Sequence, residues 1–205
     1  LAELTGAHIH IQHVTSAQGV EIVRTAKERG VRVTCETCPH YFTLTDEAVR
    51  TFNTSAKMNP PLREQADVEA VIAGLEDGTI DCIATDHAPH TPTDKEVEFQ
   101  YAPFGIIGLE TSLAVTLTEL VVKGHLTLER AIALMTLEPA RICNLGAGTL
   151  TPGAPADIVL FDPKREWTVQ ADEFLSRSRN SPFIGQTLRG QVLVTICDGN
   201  VVYRA

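Results

Sequence analysis

Ile83-Ala84-Thr85-Asp86-His87-Ala88-Pro89-His90 is the stretch that decides the fold. It continues a short apolar run, Cys82 to Ala84, of the kind a buried parallel strand uses, and it ends in an acid and two histidines. A barrel or an open α/β sheet presents its chemistry this way: the strand fixes the positions and the loop after it opens to substrate. Carboxylate and imidazole together are ligands for a borderline divalent ion, zinc first. Singly, Asp86 would read as a helix cap and each histidine as a surface residue. Three such groups within five positions read as a site.

Upstream, residues 8–14 alternate as a strand, residues 17–29 are spaced as a helix that Gly30 stops, and Val31 to Thr37 read as a second strand. A long connection holding Pro39, Asn53, Asn59, Pro60 and Pro61 leads to a helix over 65–76 and then to the strand that ends at Asp86. Strand–helix–strand–helix–strand is the grammar of a parallel sheet with right-handed crossovers. Downstream, residues 91–104 form a polar loop, and 91–103 are expected to act as a mobile lid. Helices are expected over 109–123 and 128–142.

The pattern changes at Gly146. A turn-rich run, residues 148–157, precedes short strands at 158–161, 192–197 and 201–203, the last two joined by the hairpin signal Asp198-Gly199-Asn200. Residues 1–145 therefore read as the α/β part and 146–205 as a segment of a small β domain. Three strand–helix units do not close a parallel barrel, which takes eight strands and ~250 residues. The expectation is the C-terminal part of a larger protein.

Bulk properties narrow the function. With 43% apolar residues in 205 the chain can bury a core, and no apolar stretch approaches a membrane span. A formal net charge of −9 argues against nucleic acid or an anionic membrane as partner. Five cysteines, an odd number, suit a reducing compartment, so a cytoplasmic protein is expected. The Cys35-x-x-Cys38 pair closes a β-branched strand and precedes a proline, whereas a redox pair opens a helix. No second close pair completes a zinc knuckle, so these cysteines are expected to pack.

Within Ile9-His10-Ile11-Gln12-His13, His13 shares a face with the two isoleucines, and His8 and His10 share the other. If the isoleucines face a barrel interior, His13 stands at its mouth as a metal ligand and His10 packs toward the helices.

Four runs then make the chain recognisable: Gln12-His13-Val14-Thr15-Ser16, Lys57-Met58-Asn59-Pro60-Pro61-Leu62-Arg63, Ala84 to His90, and Pro103-Phe104-Gly105-Ile106-Ile107-Gly108-Leu109-Glu110-Thr111. In this order they resemble the dihydroorotase family of the amidohydrolase superfamily, and Pro152-Gly153-Ala154-Pro155-Ala156-Asp157-Ile158-Val159 is similar to that superfamily's return into its β domain. The resemblance implies an α/β protein: the C-terminal part of a metal-dependent, TIM-like (β/α)8 barrel plus part of a small β-sandwich. It implies a zinc centre of one or two ions and reversible ring opening of dihydroorotate to N-carbamoyl-aspartate in pyrimidine synthesis. His13 matches the family's sixth-strand metal histidine. Asp86 matches the eighth-strand aspartate, both metal ligand and proton shuttle. Asn59, His90 and the Phe104-Gly105 backbone match positions that hold the substrate. The family's remaining metal ligands have no counterpart here. A homodimer is implied, with aspartate transcarbamoylase as a candidate partner.

The residue types suit that chemistry by themselves. An unactivated cyclic amide needs a strong nucleophile, which zinc makes from water by lowering its pKa to about 7. A carboxylate beside the metal can carry the water's proton to the leaving nitrogen. His87 is placed outside the ligand set; His40 reads equally as a site neighbour or a packing residue; Arg63 reads as a carboxylate binder or a loop anchor. Two other readings compete: a hydantoinase, dihydropyrimidinase or allantoinase relative, and a non-catalytic dihydroorotase-like subunit scaffolding aspartate transcarbamoylase. His13 and Asp86 together favour the enzyme.

Overall fold

The computed structural model describes Leu1–Ala205. In chain order it contains α1 (Ala2–Thr5), β1 (Ile9–Ile11), α2 (Ala17–Glu28), β2 (Val33–Thr37), α3 (Gln65–Glu76), β3 (Cys82–Ile83), α4 (Pro92–Lys95) and α5 (Ser112–Thr116). These are followed by α6 (Leu128–Met135), α7 (Leu137–Ile142), β4 (Ile158–Thr168), β5 (Thr187–Cys197) and β6 (Asn200–Arg204). The first three strands form a parallel sheet in the order β1-β2-β3, and the last three form an antiparallel sheet in the order β4-β5-β6. No helix is long and apolar enough to cross a membrane.

The parallel sheet has a helical face and an inner face, and β2 shows which is which. Val33 and Cys35 lie in one core cluster with Val20 and Val23 of α2 and Val71 and Leu75 of α3. Thr34 and Glu36, on the opposite face, receive the ring of His10: its Nδ1 lies 2.9 Å from Thr34 Oγ1 and its Nε2 3.2 Å from Glu36 Oε2. Ile11 packs against the helical core. The expected faces of β1 are therefore reversed: His10 points inward and Ile11 points to the helical core, with Ile9 left exposed.

Both long helices expected downstream are interrupted. α5 gives way to a π-helical turn at Leu117–Val122. There the Thr118 hydroxyl donates back to Ala114 O at 2.7 Å and accepts the amide of Arg189 at 2.9 Å, competing with the regular helix ladder. The second helix breaks at Thr136, whose φ of −132° is not helical, three residues before Pro139. Proline has no N–H to close the turn back onto Met135. β4 is longer than expected because Pro163 sits in a register shift between Asp162 and Glu166. There Asp162 Oδ1 accepts from the amides of Lys164 and Arg165.

The core does not divide at residue 146. Val169, Phe174, Phe183 and Leu188 belong to the same buried cluster as Val14, Ile83 and Ile106. The connection between β4 and β5 thus packs beneath the carboxyl ends of the parallel strands, near the candidate site residues.

Candidate active site

β1 ends at Ile11, and two residues later His13 adopts a left-handed backbone, φ 59°. That turn breaks the strand's alternation. The segment stays fastened to β2, with Val14 N donating to Glu36 O and Thr37 Oγ1 donating to Val14 O, both at 2.9 Å. His13 is thereby carried over the end of the sheet. Asp86, three residues past β3, is also left-handed, φ 47°. The two side chains converge, with His13 Nε2 3.8 Å from Asp86 Oδ1.

The other imidazole nitrogen of His13 is buried, and its nearest acceptor is Glu36 Oε1 at 3.4 Å, outside good hydrogen-bond geometry. Glu36 thus lies between His10 and His13. A carboxylate behind one ring nitrogen leaves the other to face outward, the arrangement that metal-binding histidines use. Two ligands each about 2.0–2.2 Å from one zinc ion stand no more than about 4.4 Å apart. The observed convergence, and its imidazole-plus-carboxylate chemistry, fit such an ion.

A second potential group, His10, Glu36 and Cys82, lies further inside, with its ligand atoms all within 4.8 Å of one another. Burial first, and then the negative charges of Glu36 and Asp81, push the Cys82 thiol up to about 12. Cys82 itself is 2% exposed. Cys35 behaves alike: burial, then Asp81, pushes its thiol up to about 12. Burial also raises Cys38 strongly, so both cysteines of the Cys-x-x-Cys pair pack, as expected.

The loop after Asp86 runs beside residues 104–108. His87 forms an isolated parallel bridge with Ile106, and Ala88 N donates to Ile106 O at 2.7 Å. His87 Nδ1 accepts the amides of Gly108 and Leu109 at 3.1 and 3.3 Å, which turns that ring to loop support. Gly105 has φ 101°, and a Cβ there would stand 2.5 Å from Ala88 Cβ, so only glycine allows the two segments this close.

The expected substrate residues lie along this seam. His90 Nε2 is 2.9 Å from Phe104 O. In the neutral ring that leaves a lone pair at Nδ1, so a carboxylate would require the imidazolium or an exchange of partners. Gly105 N already donates to Lys57 O at 2.8 Å, and Gly105 O accepts from Asn180 at 3.2 Å. The part of this backbone open to a ligand is the Phe104 side, which is exposed. Asn59 is exposed, two residues past Lys57. Arg63 reaches Thr15 Oγ1 with its Nε at 3.4 Å. His40 is fully buried, its ring centroid 4.1 Å from that of Tyr41 and its Nε2 without a partner; burial first, then His13, lowers its pKa to about 3.

Residues 2–202 match the amidohydrolase family. The chain belongs to the amidohydrolase family. It is 56% identical, over its full length, to a dihydroorotase of Citrifermentans bemidjiense and 55% identical to one of Syntrophus aciditrophicus, covering 48% of each. The chain spans about half the length of the curated relatives it matches. Among solved structures it is similar to an L-hydantoinase (dihydropyrimidinase) from Arthrobacter aurescens. That likeness has a TM-score of 0.92 at 33% identity, over 98% of this chain and 46% of the other. A dihydropyrimidinase from Brevibacillus agri gives a TM-score of 0.91 at 27% identity, over 99% of this chain and 46% of the other.

Two residues of this amidohydrolase escaped the sequence reading. Glu36 carried a signal, an acid inside the β-branched run Val33-Thr34-Cys35-Glu36-Thr37. Asn180 carried none, because its partners lie 75 to 92 positions away. The expected lid is also fastened down. Lys57 Nζ donates to the carbonyls of Phe99, Gln100 and Ala102 at 2.7, 3.2 and 2.6 Å, and Lys95 Nζ donates to Thr54 O and Pro103 O at 3.0 and 2.8 Å.

Proposed function

We propose that this chain carries one half of a dihydroorotase, and that the complete protein interconverts dihydroorotate and N-carbamoyl-aspartate. The observation that carries the reading is the convergence of His13 and Asp86 at 3.8 Å, at the carboxyl ends of parallel strands. The 56% identity to a dihydroorotase, against 33% to an L-hydantoinase, favours dihydroorotate over hydantoins.

His13 and Asp86 would hold zinc, with ligands from the rest of the protein. Zinc, when bound, supplies a strong nucleophile from water near neutral pH and draws charge from the carbonyl under attack. Asp86 takes the proton that the attacking water loses and returns it to the ring nitrogen as the carbon–nitrogen bond breaks, so one carboxylate serves as base and then as acid. Asn59 offers a donor and an acceptor to the ring's amide edge, and His90 with the Phe104 backbone holds the carboxylate end. Residues 1–145 form the barrel portion and 146–205 the small β segment that braces it.

The test is a substrate panel for the complete, metal-loaded protein: dihydroorotate, hydantoin, dihydrouracil and allantoin. Dihydroorotate should exceed the others in kcat/KM by at least ~100-fold, the margin that placed polar contacts to a carboxylate can give. Preference for hydantoin or dihydrouracil would replace this reading with the hydantoinase one.

A further inference from the structure

Asn180 is 5% exposed and sits on the connection between β4 and β5, far in sequence from every site residue. All of its side-chain amide is used. Nδ2 donates to Ala88 O at 2.9 Å and to Gly105 O at 3.2 Å, while Oδ1 accepts His90 N at 3.2 Å. The two carbonyls can face only the NH2 end, which fixes the orientation of the amide. Its own carbonyl accepts Ile107 N at 3.1 Å. One buried side chain therefore adds a tie between the loop leaving Asp86 and the Phe104–Gly105 segment, beside the Ala88–Ile106 and His90–Phe104 hydrogen bonds that already join them. Serine is too short to span both carbonyls, and aspartate has the shape but no donor.

We propose that Asn180 is a positioning residue for substrate: it sets the distance between His90 and the Phe104–Gly105 backbone, and so couples the small β segment to the affinity of the site. This rests on the reading of His90 and Phe104–Gly105 as substrate contacts. Asn180 touches no reacting atom. Its effect belongs in KM, because groups held slightly out of place bind their ligand less well while Asp86 keeps its geometry.

The experiment uses the complete, metal-loaded protein carrying N180A, N180D, H90A or N180A/H90A. N180A and N180D should each raise KM for dihydroorotate about 10-fold or more, with kcat changed less than KM and bound zinc unchanged. H90A should raise KM too, and the double variant should be no worse than about the worse single variant, because both act through one contact. If N180A does not fold, N180D, of the same shape, carries the test. Lower melting temperatures with a wild-type KM, or fully additive effects, would overturn the proposal while leaving the reaction intact. A wild-type KM in H90A would instead overturn the substrate-contact reading beneath it.

Discussion

His13 and Asp86 share a backbone state that side chains seldom adopt, φ 59° and 47°. Left-handed residues outside glycine cost energy and cluster where function over-determines the backbone. His13 shows what this does to a sequence argument. Alternation pointed to it as the inward residue, yet His10 is the inward one, and His13 reaches the site because the strand has already ended. The expected nearness of His13 to Asp86 is present, but not for the expected reason: a period-2 rule holds only while the backbone stays extended. His13→Ala should weaken zinc binding by more than ~10-fold, the size of effect that even a partner behind a ligand carries. His10→Ala should leave most of the metal in place, as measured by metal content after dialysis against a chelator. The opposite ranking would assign the ligand to the strand. Gly105 gives a second prediction at this scale. Gly105→Ala adds a Cβ 2.5 Å from Ala88 Cβ at φ 101° and should cost roughly 2 kcal/mol or more in thermal unfolding. Ala88→Gly in the same protein should recover the part due to the clash and leave the part due to φ.

Among the elements, α2, α3 and the three parallel strands were legible, because apolar spacing and the stops at Gly30 and Gly78 are local signals. The breaks at Thr118 and Thr136 were not, since one depends on the amide of Arg189 far along the chain and the other on a single proline inside a helical pattern. The segment 91–103 has more ties than its sequence suggests. Its polar composition reads as mobile, but Lys57 and Lys95 bind five of the neighbouring carbonyls and pin it to residues 54–57. The amides of Tyr101 and Ala102, which donate to Glu98 O at 2.9 and 3.2 Å, should exchange slowly in the ligand-free protein, and Lys57→Met should speed them; fast exchange in the wild type would support the mobile lid. Burial first, then Lys57, lowers the Lys95 ammonium to about 8. The unfolded value is about 10.4, so between about pH 8 and pH 10.4 the unfolded chain binds more protons and folding gains stability as pH rises. Denaturant unfolding should show that gain in the wild type and not in Lys95→Met.

At the scale of the whole molecule, one core runs from the parallel sheet into the β4–β5 connection, and Asn180 ties that connection to the loops holding Ala88 and Gly105. The change of pattern at Gly146 was a true change of secondary structure, but packing and hydrogen bonding cross it. Such long-range ties leave no periodic trace. Elsewhere apolar surface stays open: Leu4, Ile22, Leu109 and Leu175 are each more than 60% exposed. A parallel sheet is normally covered on both faces, so residues 1–205 expressed alone should aggregate or melt without a cooperative transition, by calorimetry and sedimentation. The central proposal is that the His13–Asp86 pair is where the complete protein opens a cyclic amide. The measurement that tests this most directly is the rate of N-carbamoyl-aspartate formation from and to dihydroorotate by the complete protein, wild type against Asp86→Asn, with bound zinc quantified in both. A fall of at least ~100-fold in both directions, with metal still present, is the outcome expected of a lost proton carrier. Near-normal interconversion by the metal-loaded Asp86→Asn protein would contradict the account.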